Sequence, residues 1–507
     1  MPQPVQQRKE AEKSLETPGV PRFLAAISGG PVFAVLLAAL AVDVWMPLLF
    51  RSFWVDEAGT YWMVHEGVAQ SIPKTLVFPG QSILYSIIAA FFCFDGSPLR
   101  DFLLRIPSVI GIVLAAYFLF RIGETWIGRG AGLAAVALFI FHPDLTLIGY
   151  QARPYALAIG AVTASCWSLL EWDRNRFRKH LVLYLLASLL VFYLHYFFAA
   201  ILAVHAIYVA YVALLRGRIT RIWELFCAWC AIPLLSLPLV PHLRSLMRER
   251  TTMPYLHAPS IRDLTDYLGP SELLAGLLIA AVVMAFLYPR PAAHAGERKP
   301  ELMILILAWW LVGPLLFFMI SRATPMTVFV PRYLAFTYPG QALALTYLGY
   351  LAFGARGARV WALAGVLAFA ANPLILTRWK NGKDELLPII RLVRARPNVP
   401  VFFPSLLQQS LFYDWRAGNR PDSYLFAPLV AYPISNPLLP MPVAPIEEAK
   451  VYLSGFIDSR LTAVPEVLFV DKDDRWADWL KDQMSRAGYR AAVEPPAGNF
   501  TLYVFRR

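Results

Sequence analysis

Gln81-Ser-Ile-Leu-Tyr-Ser-Ile-Ile-Ala-Ala-Phe-Phe-Cys-Phe94 is the stretch on which the reading of this chain turns. It is apolar almost throughout. As a helix it reaches roughly 21 Å, short of the ~30 Å of hydrocarbon that a crossing must span. Read as a crossing, it reverses the side on which every later loop lies. Read as a helix along the membrane surface, it leaves everything from Phe50 to Arg105 in one loop on one side.

Membrane context comes from composition. The 507 residues are 58% hydrophobic, 14% aromatic and 16% charged, where soluble domains carry about 25% charged residues. The apolar residues form blocks near the length of a span, separated by short basic clusters, which describes a polytopic α-helical membrane protein. A net charge of +12 raises nucleic acid as a partner. The Lys and Arg residues instead fall in short loops, where positive charge marks the cytoplasmic side. The lipid bilayer is therefore the expected surrounding, and no nucleic acid is expected. Cys93, Cys166, Cys227 and Cys230 read as membrane thiols, since the Cys227/Cys230 pair lies in an apolar run with no second pair to complete a zinc site.

Residues 1–28 read as a polar, disordered cytoplasmic tail. The run 31–50 continues beyond Ala39-Leu40-Ala41, which resembles a cleavage site, so it reads as an uncleaved anchor. With residues 81–94 along the surface, further spans fall near 106–121, 131–149, 156–171, 181–195, 198–215, 222–240, 271–288, 301–320, 333–353 and 360–377. That makes about eleven spans in all, with 29–377 as the transmembrane domain. Alternate loops then hold Arg121 and Arg129; Arg174, Arg176, Arg178 and Lys179; Arg216, Arg218 and Arg221; Arg290, Arg298 and Lys299; and Arg356 and Arg359. These basic loops share the cytoplasmic side with the N-terminus, as in an inner (plasma) membrane protein. Polar clusters with no topological duty collect on the outer face.

After Arg378 the pattern changes. Val399-Pro-Val-Phe-Phe403, Lys450-Val-Tyr-Leu453, Glu466-Val-Leu-Phe-Val470 and Phe500-Thr-Leu-Tyr-Val-Phe505 read as strands, and 476–487 as a helix. Residues 378–507 are thus expected to form a small extracytoplasmic α/β domain. Residues 437–445 read as a proline-rich connection within it. No glycine-rich phosphate loop is present, so nucleotide binding has no support.

Among the outer clusters, Arg51-Ser-Phe-Trp-Val-Asp-Glu-Ala-Gly-Thr-Tyr61 comes first. In a purely structural reading, Asp56 caps a helix over 57–66 that ends at Gly67, with Trp54, Tyr61 and Trp62 as interfacial anchors. In a catalytic reading, neighbouring helical side chains diverge by about 100°. One carboxylate, Asp56, then acts as base and Glu57 as helper. In Gln151-Ala-Arg-Pro-Tyr155, Arg153 is costly in lipid without an anion partner. A phosphate or Asp56 would supply one; snorkelling to headgroups is the alternative. Arg332 of Pro331-Arg-Tyr333, with Arg322 nearby, suits bidentate phosphate binding or interfacial anchoring. His195, between Tyr193 and Tyr196, reads as a structural hydrogen-bonder rather than a base, and nothing near it has zinc-ligand spacing. Lys74 and Arg51 meet either lipid phosphate or water, and Arg100 and Arg105 are positional.

Trp54-Val-Asp-Glu-Ala, Gly80-Gln-Ser-Ile-Leu-Tyr85, Arg105-Ile-Pro-Ser108, Gln151-Ala-Arg-Pro-Tyr155, Tyr193-Leu-His-Tyr196 and Pro331-Arg-Tyr333 recur in a familiar order. Over residues 30–350 the chain resembles the GT-C superfamily of polyprenyl-phosphate-sugar-dependent glycosyltransferases. The nearest branch is the family 39 type, protein-mannosyltransferase-like and aminoarabinose-transferase-like. The resemblance implies a base at Asp56, a polyprenyl-phosphate sugar donor, and Arg153 and Arg332 about its phosphate. Substrate contacts are then expected from Gln151, Tyr155, His195, Tyr196, Tyr333 and Tyr85. Relatives often carry His-Pro-Pro or Lys-Pro-Pro where this chain has Phe78-Pro-Gly80, so a charged phosphate contact is missing there. Related oligosaccharyltransferases place acidic metal ligands in the second outer loop. Here that loop is Gln151-Ala-Arg153, so no cofactor is expected to be obligatory, with a divalent cation left open.

The implied activity is transfer of a monosaccharide to a hydroxyl of a glycolipid, cell-envelope glycan or protein. One base and in-line attack would invert the anomeric centre. A multi-span transporter or lipid flippase is the alternative; it would carry mid-span charges and inverted repeats. Asp43 is the main such charge, and no clear repeat is visible. A ligase or polymerase using a diphosphate-linked glycan would share the architecture.

Overall fold

The computed structural model describes residues 30–78, 82–217, 221–249, 258–269, 299–324, 327–373, 375–377, 385–405, 423–442, 445–461 and 464–507. The expected tail over 1–28 and the expected span over 271–288 lie outside the described residues. Helix α1 (Gly30–Leu49) leads into three short helices, α2 (Val55–Val64), α3 (Val68–Val77) and α4 (Ile83–Ala90). Gly67, at φ +90°, makes the turn between α2 and α3 that a residue with a side chain would resist. With eight residues, α4 is about 12 Å long and too short to cross a membrane.

Helices α5 (Ile106–Trp126), α6 (Arg129–Ile140) and α7 (Tyr155–Asn175) pack through small residues. A Cβ on Gly111 of α5 would fall 2.3 Å from the backbone of Ala156 on α7, and one on Gly123 would fall 2.6 Å from Gly132 on α6. Such close backbone approach is how helices gain dispersion contacts in lipid, where burial alone drives little. The span expected over 131–149 is shorter: α6 stops at Ile140, and a four-residue turn, Leu145–Ile148, follows. Pro143 lacks the N–H that a continuing helix needs, which breaks it there. The bundle continues with α8 (Arg178–Leu194), α9 (Ile201–Arg216), α10 (Ile222–Leu235), α11 (Pro300–Ala323) and α12 (Tyr338–Ala371). Gly354, at φ +69°, interrupts α12 between the two spans expected there.

Among the described residues, Arg100–Trp126, Tyr196–Leu215, Ile222–Met247 and Pro300–Ala323 are long and apolar enough to cross a membrane. Val113, Leu190, Leu214 and Met319 point outward from the bundle. An apolar exterior of this kind belongs against lipid.

The C-terminal part forms a five-stranded mixed sheet in the order β2-β1-β3-β5-β4. Its strands are β1 (Val401–Pro404), β2 (Leu438–Met441), β3 (Glu466–Lys472), β4 (Arg490–Val493) and β5 (Phe500–Arg506). β1 runs parallel to β2 and β3, while β5 is antiparallel to β3 and β4. Both sheet faces are covered. Val467, Phe469, Tyr503 and Phe505 pack under helices Glu447–Arg460 and Ala477–Arg486. The alternate residues Leu468, Val470, Leu502 and Val504 join one continuous core with Ile389, Ile390, Phe53 and Tyr432. Two expectations fail here. Lys450-Val-Tyr-Leu453 is helical, because Ala449, Leu453 and Ile457 recur at helical spacing and are buried together. The proline-rich run 437–445 contains β2, an edge strand, where Pro440 costs no ladder bond on its open side.

Gly111→Leu should fail to pack, losing about 1–3 kcal/mol or more to over-packing. Gly455, with nothing within 4 Å of an added Cβ, should accept Ala with a gain of about 0.5–1 kcal/mol. Thermal unfolding of the purified protein in detergent, followed by size-exclusion chromatography, checks both.

Candidate active site

Helix α2 starts at Val55, with Trp54 as its N-cap. Asp56 and Glu57 are therefore both in its first turn, where free N–H groups favour negative charge. Asp56 does not cap the helix, contrary to expectation. Instead Glu57 Oε2 reaches back to accept the Trp54 N–H at 3.3 Å, closing the helix start.

Their two carboxylates have different surroundings. Glu57 is fully buried and lies fork to fork with the equally buried Arg105, at 2.7 Å from Nε to Oε1 and 2.6 Å from Nη2 to Oε2. Oε1 also accepts the Ala152 N–H at 2.7 Å. With both oxygens occupied by charged or main-chain donors, Glu57 has no free position from which to take an acceptor proton. Expected as a helper to Asp56, Glu57 here holds the start of α2, Arg105 and Ala152 together. Arg105 is positional, as expected. It also donates to the carbonyls of Leu49 at 2.9 Å, Arg51 at 2.5 Å and Ser52 at 3.2 Å.

One helical turn on, Thr60 Oγ1 donates to the Ala152 carbonyl at 2.8 Å. Glu57 and Thr60, three apart on one face of α2, thus hold both main-chain groups of residue 152. The next residue is Arg153, so this clamp sets Arg153 against the start of α2. Ser108 of α5 secures the same loop by donating to the Gln151 carbonyl at 2.5 Å.

Asp56, on the neighbouring face, keeps partial exposure at 18% and accepts a hydrogen bond from Arg332 Nη1 at 3.2 Å. Arg153 lies close enough to act electrostatically on both Asp56 and Arg332. The Arg332 guanidinium sits 5.4 Å from the Tyr333 ring, and that of Arg153 sits 5.8 Å from the Tyr155 ring. His195 fits between these aromatics, 5.3 Å from Tyr155 and 5.6 Å from Tyr333. It occupies the extended break after α8. Burial, then the charges of Arg153 and Arg332, push its imidazole down to about 3, so it is neutral near pH 7. Its buried Nδ1 has no hydrogen-bond partner among the described residues. The structure therefore gathers Asp56, Arg153, Tyr155, His195, Arg332 and Tyr333.

Of the other expected substrate contacts, Gln151 and Tyr196 are hydrogen-bonded elsewhere. The Gln151 amide donates to the Leu147 carbonyl of its own loop. The Tyr196 hydroxyl is bonded to His242 Nδ1. Tyr85 is fully buried in the packing of α4, within electrostatic reach of Glu57, Arg153 and Arg105, and its hydroxyl has no hydrogen-bond partner among the described residues. Lys74 is closed off as well, with its ammonium 2.8 Å from Glu66 and 4.5 Å above the Trp62 ring. The clamp through Thr60 and Ala152 has no signature in the sequence beyond the spacing of Glu57 and Thr60.

No protein-family model and no curated protein matches this chain. Among solved structures, ArnT from Cupriavidus metallidurans in the apo state superposes with a TM-score of 0.51 at 12% identity, covering 93% of this chain and 97% of that one. The fold is that of ArnT. A structure of ArnT bound to undecaprenyl phosphate matches with a TM-score of 0.47 at 13% identity, over 93% and 98% of the two chains. The expected helical membrane fold with a small C-terminal sheet domain agrees with this ArnT-like fold. The ArnT-like fold and the apolar helices together make this a multi-pass membrane protein.

Arg105→Ala should leave the Glu57 carboxylate buried without its cation and cost about 3–5 kcal/mol. Arg332→Ala removes a partner from a half-open pair and should cost at most about 1 kcal/mol. Comparing the two thermal midpoints in detergent tests this division between holding structure and serving the site.

Proposed function

We propose that this protein transfers a monosaccharide from a polyprenyl-phosphate donor to a hydroxyl of a glycolipid, cell-envelope glycan or protein. The observation that carries this reading is a partly exposed carboxylate, Asp56, set among two guanidiniums on an ArnT-like fold. A phosphate is already a good leaving group, so two demands remain: removing the acceptor proton and stabilising charge on the departing phosphate. Asp56 serves the first, and Arg153 and Arg332 the second. Tyr155, Tyr333 and His195 line the space between them.

In the reaction, the acceptor oxygen forms the new bond to the anomeric carbon as the carbon–oxygen bond to phosphate breaks. The bonding pair leaves with the polyprenyl phosphate, and the acceptor proton passes to Asp56. Arg332 holds Asp56 before the donor arrives; a phosphate competes for the same guanidinium and so releases the base. A single base with in-line displacement gives inversion. The site is assigned to the outer face, with residues 29–377 as the transmembrane catalytic domain, residues 378–507 above it, and the N-terminus in the cytoplasm.

Asp56→Asn should fold normally and lose transfer by about 10²-fold or more, measured as polyprenyl phosphate released from a panel of polyprenyl-phosphate sugars. Wild-type-like release would remove Asp56 as base. Neutralising Arg332 or Arg153 should raise KM for donor more than for acceptor; the reverse result assigns them to the acceptor. His195, already neutral throughout pH 5–8, should contribute no limb to the pH–rate profile, so His195→Gln should leave the profile's acid limb where it was.

A further inference from the structure

We infer that the C-terminal domain helps set the geometry of the reaction, with Glu385 and Tyr432 as positioning residues for Asp56. The inference rests on the reading of Asp56 as base. Residues 52–54 join α1 to α2 without regular structure, so their backbone groups need partners from outside. The Ser52 carbonyl and the Trp54 N–H are met by Arg105 and Glu57, while the partners of the Ser52 N–H and of both Phe53 main-chain groups come from more than 330 positions downstream in the chain. Glu385 Oε2 accepts from the Ser52 N–H at 3.1 Å and from its hydroxyl at 2.9 Å. The Phe53 N–H donates to the Tyr432 hydroxyl at 2.7 Å, and the Phe53 carbonyl accepts the Leu386 N–H at 2.9 Å. The Tyr432 hydroxyl in turn donates its hydrogen bond to the Asp101 carboxylate.

Packing surrounds these bonds. The Arg100 guanidinium lies 5.3 Å from Phe53, 4.5 Å from Tyr61 and 5.2 Å from Tyr432, and donates to the Ala431 carbonyl at 2.9 Å. The short helix Ala427–Ala431 rests directly on α2. A domain that only roofed the site could dock on side chains anywhere on the surface. Here three of the bonds to Ser52 and Phe53 are made to the main chain that feeds α2, within four residues of Asp56. Because a displacement near 1 Å can cost about 10²-fold in rate, this joint bears on turnover while touching no substrate.

The test uses the full-length protein in lipid nanodiscs. Tyr432→Phe and Glu385→Ala should speed hydrogen–deuterium exchange over residues 51–58 while leaving α7 at wild-type rates. The same variants should lower kcat by about tenfold or more with donor KM within about twofold. Glu385→Gln, which keeps an acceptor for Ser52, should restore most of the rate. Tyr489→Phe, at a buried hydroxyl inside the C-terminal domain bonded to Leu461 and Val464, should leave kcat unchanged and so separates positioning from general loss of stability. Wild-type exchange and kcat in both Tyr432→Phe and Glu385→Ala would overturn the inference, as would an equal fall in kcat for Tyr489→Phe. Wild-type protein that releases no polyprenyl phosphate overturns the reading of the reaction instead, while the exchange measurement still decides whether the joint holds residues 51–58.

Discussion

The Glu57–Arg105 pair is the constraint on which the site's geometry depends. Both side chains are fully buried, and taking two ions out of water costs several kcal/mol each before their attraction is counted. Such a pair adds little net stability. Its consequence is register: Arg105 has five N–H donors and meets a carboxylate and the carbonyls at the end of α1. No shifted arrangement of these segments keeps all of those groups bonded. The start of α5, the end of α1 and the first turn of α2 are therefore fixed relative to one another, and through Ala152 so is the loop before α7.

That constraint explains why two adjacent acids do different work. About 100° of helical rotation separates their side chains, so burying Glu57 against Arg105 leaves Asp56 on the partly exposed face beside Arg332. Glu57 gives up reactivity by being saturated with donors. Asp56, paired with Arg332 and partly exposed, stays accessible on a backbone that its neighbour has made rigid. The same rigidity reaches Arg153, because Glu57 and Thr60 hold both main-chain groups of the residue before it.

Sequence reasoning reached the elements whose signal is local. Apolar blocks gave the helices, and the short run over 81–94 gave a helix too short to cross. Asp56, Arg153, His195 and Arg332 stood out because polar residues at span ends without a topological duty are few. What was missed depends on partners far along the chain. Nothing near Gln151 says that its amide folds back on Leu147, and nothing near Tyr196 announces His242. The strand misread at Lys450–Leu453 is a different failure, since its helical spacing was present but four β-prone residues outweighed it. The joint at Ser52 and Phe53 was invisible, because main-chain donors look alike in a sequence and their partners lie in the C-terminal domain.

The charge balance of the gathered residues gives the last constraint. Glu57 is neutralised by Arg105, so it adds no net charge beside Asp56. Arg153 and Arg332 then face one carboxylate, Asp56, and the nearby histidine is held neutral by burial and by those same two cations. Two guanidiniums close enough to repel are stable together only if anionic charge sits between them, and Asp56 supplies half of what they need. The aromatic walls of Tyr155 and Tyr333 lower the local dielectric and strengthen that demand. A site built this way favours an anion beyond its own carboxylate, and its hunger for that anion is greatest when Asp56 takes up a proton. In the proposed reaction, proton transfer to Asp56 and retention of a departing phosphate would thus be coupled through the same two arginines: each gain of a proton by Asp56 leaves more positive charge for the leaving group.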